Sequence, residues 1–306
     1  MKSLIAGFIV LACGFAIVMS GANGDKGVTI RTSDDSVSDD CSDHIHFSSR
    51  EYSSVLKGEE TRSLPNQPLH FKAEQNGGIQ VSTWDRPDFS VKLCKQVASE
   101  SDSQGRKILA ETTLSVNGNM VSVKAPDNDG DFSLSTLLLV KAPREAQVTM
   151  GVQNGGISLR RFTGTAEAHA MNGGISLRES QGKLTLRAQN GGISIQDCSG
   201  DVDAEVENGG LSISLPERWE GKGLNAHTEN GGLVLRIPRN FSSGLEVTAS
   251  NHVSIICKGD VCDNGQRTWD NGHRMFRLGS GEPQIKAATV NGGIVIEPRE
   301  RGRDSI

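Results

Sequence analysis

Asp201, Asp203 and Glu205 alternate along Asp201-Val202-Asp203-Ala204-Glu205, a run that reads as a strand. Alternation puts the three carboxylates on one face, with i, i+2 neighbours about 6.6 Å apart. This is close to the acid–base separation of inverting glycosidases. A polysaccharide-active β-helix enzyme is therefore one function to weigh. The equivalent places in the flanking segments hold Lys183, Thr185 and Arg187 on one side and Gly223, Asn225 and His227 on the other. Opposite charges on neighbouring strands stabilise a solvated face. That is the preferred reading, and no catalytic residue is assigned.

Three further constellations are weighed the same way. Asp127-Asn128-Asp129-Gly130-Asp131 is dense in calcium-type oxygens, but it lacks the distal Glu of a calcium-binding loop. Asn-Asp-Gly is also an ordinary hairpin turn. His44 and His46 flank Ile45 and share a strand face, with Asp43 as the nearest third group; two ligands do not make a zinc site. Ser158, Ser176, Ser194, Ser212 and Ser254 form an expected outward ladder, with no histidine spaced to activate any of them. Neither metal nor cofactor is expected.

Binding chemistry is expected at Trp269, His273 and Arg274, within the Val253–Gly281 segment, and at Trp219, within Pro216–Gly223. Both stretches break the spacing described next, and residues that break a repeat loop out from a rigid scaffold. A tryptophan face suits a sugar ring or a partner side chain, and Arg274 suits an anionic sugar or carboxylate. The competing reading is a cap over an open core end.

The scaffold is announced by Asn-Gly-Gly-Ile/Leu, which begins at Asn76, Asn154, Asn172, Asn190, Asn208, Asn230 and Asn291. The starts from Asn154 to Asn208 are 18 residues apart, the next interval is 22, and a degenerate copy begins at Asn251. Fixed self-similarity at this period marks stacked units that cannot bury a core singly. Each copy carries two alternating strand patterns. The inward columns are Ile157/Ile175/Ile193/Leu211/Leu233 and Leu159/Leu177/Ile195/Ile213/Leu235 on the first strand. On the second they are Ala166/Leu184/Val202/Leu224/Leu245 and Ala168/Leu186/Ala204/Ala226/Val247. The expected fold is all-β: a single elongated, flattened β-solenoid of parallel coils, about 18–22 residues each.

The corners are assigned to Asn154, Gly155 and Gly156, and to Asn172, Gly173 and Gly174. The next two are Asn190, Gly191 and Gly192, and Asn208, Gly209 and Gly210. Gly-Gly supplies positive φ, and stacked Asn amides can bond from coil to coil. Gly164, Gly182 and Gly200 make the opposite corner.

The chain has 306 residues, 4% aromatic, with a net charge of −5 and no basic cluster interleaved with aromatics. That composition suits a thin aliphatic core and gives nucleic-acid binding little support. Met1-Lys2, an apolar run from Leu4 to Met19, and Ser20-Gly21-Ala22 read as a secretory signal. Cleavage near Ala22, lipidation of Cys13 within Val10-Leu11-Ala12-Cys13, and an uncleaved anchor stay open. Membrane contact is confined to this segment, and the mature chain is expected to be exported, periplasmic or at the cell surface. Residues 23–59 read as a Ser/Asp-rich spacer, 60–298 as the β-domain and 299–306 as a charged tail. Cys257 and Cys262 bracket a turn-like tetrapeptide and form the first expected disulfide; Cys41 with Cys94 is the second. Cys198 falls at a corner and reads as a buried free thiol.

Gln75–Leu93 (QNGGIQVSTWDRPDFSVKL), Leu137–Pro143 (LLLVKAP) and Pro283–Ile296 (PQIKAATVNGGIVI) resemble the putative-adhesin β-strand-repeat family of bacterial envelope proteins. They match its opening coil, the strand preceding its regular coils and its closing coil. The resemblance implies an exported, non-enzymatic protein with an adhesive, ligand-binding or scaffolding role and no catalytic residues to carry over. Envelope polysaccharide or a surface protein is the implied partner. Self-assembly is the structural alternative, since stacked strands continue end to end unless capped.

Overall fold

A computed structural model describes residues 16–20, 27–31, 40–43, 52–73, 77–127, 131–250, 253–270, 273–279 and 282–299. The remainder of the signal segment with Cys13, most of the spacer with His44 and His46, Asn76, residues 128–130, Asn251 and the end of the tail lie outside them. The described chain is all-β apart from one α-helix, Asp102–Glu111, and two short 3-10 turns. It forms two large mixed sheets, of twelve and eleven strands, and a separate two-stranded ladder.

The centre follows the repeat. Ile157–Arg160, Ile175–Arg178, Ile193–Gln196, Leu211–Ser214 and Leu233–Ile237 pair in parallel, each with the next. The longer strands Ala146–Asn154, Thr163–Asn172, Gln181–Asn190, Ser199–Asn208 and Gly223–Asn230 do the same in the other sheet. The four apolar columns between Ile157 and Leu235 are buried between the sheets in one continuous cluster. Such a core exists only by stacking, because one coil leaves both of its inner faces bare.

The corners are held by side-chain and backbone contacts. Asn172 donates from Nδ2 to Asn154 Oδ1 at 3.0 Å, and the ladder continues through Asn190, Asn208, Asn230 and Asn291 at 3.0–3.3 Å. Gly164, Gly182 and Gly200 have φ of 140°, 133° and 102°, but each is the second residue of a strand, Thr163–Asn172, Gln181–Asn190 or Ser199–Asn208, and the opposite corner itself falls just before them. The first glycine of Asn-Gly-Gly departs from expectation. Gly155, Gly173 and Gly191 are not in the left-handed region; a Cβ on Gly173 would lie 1.8 Å from the Gly155 carbonyl oxygen. Close backbone approach, not torsion, demands glycine there. Left-handed φ falls instead on Arg161, Glu179 and Asp197, at 49°, 50° and 51°.

The two ends correct the picture of parallel coils throughout. At the first end, Leu69–Ala73 and Gly77–Thr83 stack in parallel on the coil at 146–160. Beyond them Ser54–Leu64 runs antiparallel to Phe89–Ser99, which runs antiparallel to Phe132–Ala142. Regular structure therefore begins inside the expected spacer. The helix Asp102–Glu111 was not expected. Ser101 caps it, accepting from Gln104 N at 3.3 Å, and Lys95 Nζ donates to the Leu109 and Thr112 carbonyls. Burial lowers the Lys95 pKa, with nearby Glu60 opposing the shift.

At the other end the order of coils changes. Ile285–Asn291 pairs in parallel with Gly223–Asn230 on one side and Leu245–Ala249 on the other. Ile294–Pro298 likewise lies between Leu233–Ile237 and Ile255–Cys257. The last coil is thus inserted within the stack, and Ile285, not Leu245, is the neighbour of Leu224. The outermost strands of the twelve-stranded sheet at this end are the hairpin Gln266–Asp270 and His273–Leu278, antiparallel to each other, and His273–Leu278 is antiparallel to Leu245–Ala249.

Candidate functional site

The hairpin is built from residues of the Val253–Gly281 segment, and strand alternation divides its side chains. Phe276 stands opposite Val247 and is buried in the core. A Cβ on Gly265 would lie 2.2 Å from the Phe276 ring, so the loop 258–265 closes directly over it. Cys257 and Cys262 are joined across that loop, and Val261 between them is buried. These contacts make the segment a cover over the end of the core, extending one sheet rather than lying across a face.

Trp269 and Arg274 are cross-strand partners on the side of the hairpin that bears Phe276. The Arg274 guanidinium lies over the indole, 4.6 Å from its centroid, and Trp269 is 51% exposed. Among the described residues, Arg274 Nε is buried without a hydrogen-bond partner. Cation–π contact of this kind holds a long arginine against a flat ring at modest cost in freedom. His273 is the next residue along and points to the opposite face, where its Nδ1 is 3.0 Å from Ser250 Oγ. Two of the three expected hairpin residues come together, and the third does not.

Trp219 corrects the fourth expectation. It is 2% exposed within the main core, with Nε1 donating to the Gly200 carbonyl at 3.1 Å. The four extra residues around it fold the indole back over the apolar columns, so it packs and presents no face to solvent. An indole with its N–H satisfied is a stable core filler.

The carboxylate run takes its solvated reading. Arg187 contacts Asp203 Oδ2 at 2.7 Å and Glu205 Oε2 at 2.8 Å, and Lys222 lies 3.7 Å from Asp201. Arg187, one coil away in exact pairing with Glu205, was visible in the sequence as a mixed-sign column. Ser158, Ser176, Ser194 and Ser212 are in register on the outer face. Ser254 leaves that ladder: Ile256 pairs with Val295, which pairs with Val234, so Ile256 takes its place. Among the described residues no three His, Cys, Asp or Glu side chains gather as a metal site, and no helix is long and apolar enough to cross a membrane.

Both expected disulfides are present, Cys41–Cys94 and Cys257–Cys262. Cys198 is a buried free thiol whose pKa is pushed up to about 12, mainly by burial.

No family model matches the chain, and no curated protein matches it. Solved structures give low-similarity matches. One is a "putative cell adhesion protein" from Clostridium sporogenes, 11% identical, with 80% of this chain and 100% of that one covered and a TM-score of 0.31. A "putative adhesin" from Parabacteroides merdae is 9% identical, covering 79% and 96%, with a TM-score of 0.34. A "putative lipid binding protein" from Parabacteroides distasonis is 12% identical, covering 79% and 97%, with a TM-score of 0.32.

Proposed function

We propose that this chain is an exported, non-enzymatic β-solenoid that binds a partner in the bacterial cell envelope, in the periplasm or at the cell surface. The observation that carries this reading is the half-exposed Trp269, fixed under Arg274 on a disulfide-clasped hairpin. An exposed aromatic braced by an arginine is a pre-ordered contact, and pre-ordering removes part of the entropy lost on binding. Tryptophan and arginine are also the residues most enriched at energetic centres of interfaces. Export is supported by the two disulfides, which persist in oxidising compartments. Envelope polysaccharide and a surface protein are the proposed partners; nucleic acid is not.

Against the enzyme alternative stands the ion pairing of Asp201, Asp203 and Glu205 with Lys222 and Arg187. A general acid must present its carboxyl to a glycosidic oxygen, and here Arg187 and Lys222 are seated against the three carboxylates. Against end-to-end assembly stands the hairpin that covers the core end.

The test is a polysaccharide array and whole-cell binding, with wild type and Trp269→Ala compared. Loss of whole-cell binding in Trp269→Ala at unchanged melting temperature is the expected result. Unchanged binding, with stability lost and the indole already blue-shifted and resistant to acrylamide, would make the hairpin a cap alone. Shortening of any retained glycan would favour the enzyme.

A further inference from the structure

The insertion of the last coil leaves a notch on the outer face of the twelve-stranded sheet. Pairing sets two rows side by side across three strands: Asn225, Lys286, Glu246 and His227, Ala288, Thr248. Ala288 is the short member of its row. The longer side chains of His227 and Thr248 rise on either side of it, and Lys286 lies two residues back along the strand. The depression holds about 250 Å³ and is lined by these residues together with Asp203.

The polar groups around the notch are of both kinds. Asn225 and Lys286 are exposed donors, His227 and Thr248 each add a group able to donate or accept, and Asp203 and Glu246 accept. Each carboxylate is braced from outside the notch through one oxygen. Arg187 takes Asp203 Oδ2 at 2.7 Å, and Arg277 takes Glu246 Oε2 at 2.8 Å through Nε. Among the described residues these contacts use Asp203 Oδ2 and Glu246 Oε2 alone, so the other oxygen of each can accept from a ligand hydroxyl. Charge balances once the bracing partners are counted, with Asp203, Glu205 and Glu246 against Arg187, Arg277 and Lys286, so the lining favours a polyhydroxyl group over a strongly charged one. The volume admits a single ring and little more.

The geometry points to a binding site for one neutral sugar unit of a glycan, seated on Ala288. The site is distinct from the Trp269 platform. It shares with the proposed function only the expectation of a glycan partner. His273, on the same outer face two residues beyond the Thr248 row, belongs to this surface rather than to that of Trp269.

The experiment presents dextran, mannan and galactan, with alginate and polygalacturonate as acidic controls, to the mature chain with its disulfides intact. Wild type is expected to retain at least one neutral glycan, and Ala288→Trp, which fills the notch from the solvent side, to weaken retention about tenfold or more. Trp269→Ala is expected to leave that retention in place. Should Ala288→Trp fail to fold, the double variant Asn225→Ala/Lys286→Ala, at two exposed positions, is expected to show the same loss. Retention of acidic glycans only, retention of none, or full binding by a notch variant that melts like wild type would overturn the site. Loss through Trp269→Ala alone would overturn it while leaving the hairpin reading standing.

Discussion

At the first glycine of each corner, the carbonyl of the preceding coil occupies the space of a side chain. A Cβ on Gly191 would lie 2.0 Å from the Gly173 oxygen, as one on Gly173 does from Gly155 at 1.8 Å. Even alanine forces two coils apart there. Gly173→Ala is expected to cost roughly 3 kcal/mol or more in urea unfolding; a cost below about 1 kcal/mol would mean the coils are not in this contact. Cys198 sits where the previous coil has Ser180, whose hydroxyl donates to the Arg178 carbonyl at 2.8 Å. Cys198→Ser should therefore fold. The wild-type thiol, with pKa raised from 9.0 to about 12, binds its proton more tightly folded than unfolded. Its stability contribution is full below about pH 9 and is lost as pH rises through 12. Between pH 8 and 10.5 wild type should lose about 2 kcal/mol more than Cys198→Ser. Equal losses would place the thiol in solvent. The burial of Cys198 and the asparagine ladder were legible from phase alone. The left-handed Arg161, Glu179 and Asp197 were not, because residue type favours glycine at such torsions and only the stacked corner overrides it.

Strand existence was the most legible element-level feature, since two-residue alternation and an 18-residue return coincide. Strand order was not. All Asn-Gly-Gly coils present the same apolar columns, so the similarity that reveals them also lets any copy stack on any other. Chain order placed Leu245 after Leu224, whereas long-range packing put Ile285 there. The helix Asp102–Glu111 could have been found from Ser101 and Gln104, a Ser-x-x-Gln start signal, but strong flanking strands masked it. The disulfides divide in energetic weight. Cys41–Cys94 spans 53 residues and Cys257–Cys262 spans 5. Loop entropy assigns them about 4 and about 2 kcal/mol. The Cys41→Ala/Cys94→Ala pair should therefore lower the denaturant midpoint more than Cys257→Ala/Cys262→Ala. The reverse order would show that the short clasp carries the cap's packing as well.

For the whole molecule, the first end of the parallel stack is finished with antiparallel strands in both sheets and the other end in the twelve-stranded sheet, which the repeat alone does not announce. A capped stack stays monomeric; an uncapped one offers strand edges and bare core to a second copy. Phe276→Ala opens the covered end. It is expected to cost roughly 3–5 kcal/mol and to make sedimentation concentration-dependent, while wild type sediments as one species. Wild-type filaments would contradict the capping role. The candidate binding surfaces were only partly legible: Trp269 and Arg274 stood out as an aromatic and a charge in a break of the repeat. The Ala288 notch did not, because it exists only when the last coil lies between two others.

That insertion is the central structural claim, and cysteine cross-linking tests it directly. Asn225→Cys/Lys286→Cys places thiols on adjacent strands, while Asn225→Cys/Glu246→Cys places them two strands apart, about 10 Å. A disulfide requires Cα atoms within about 7 Å. Under mild oxidation the first pair should cross-link within the monomer and the second should not; cross-linking of the second pair alone would mean that the coils stack in chain order and that the inserted coil is wrong.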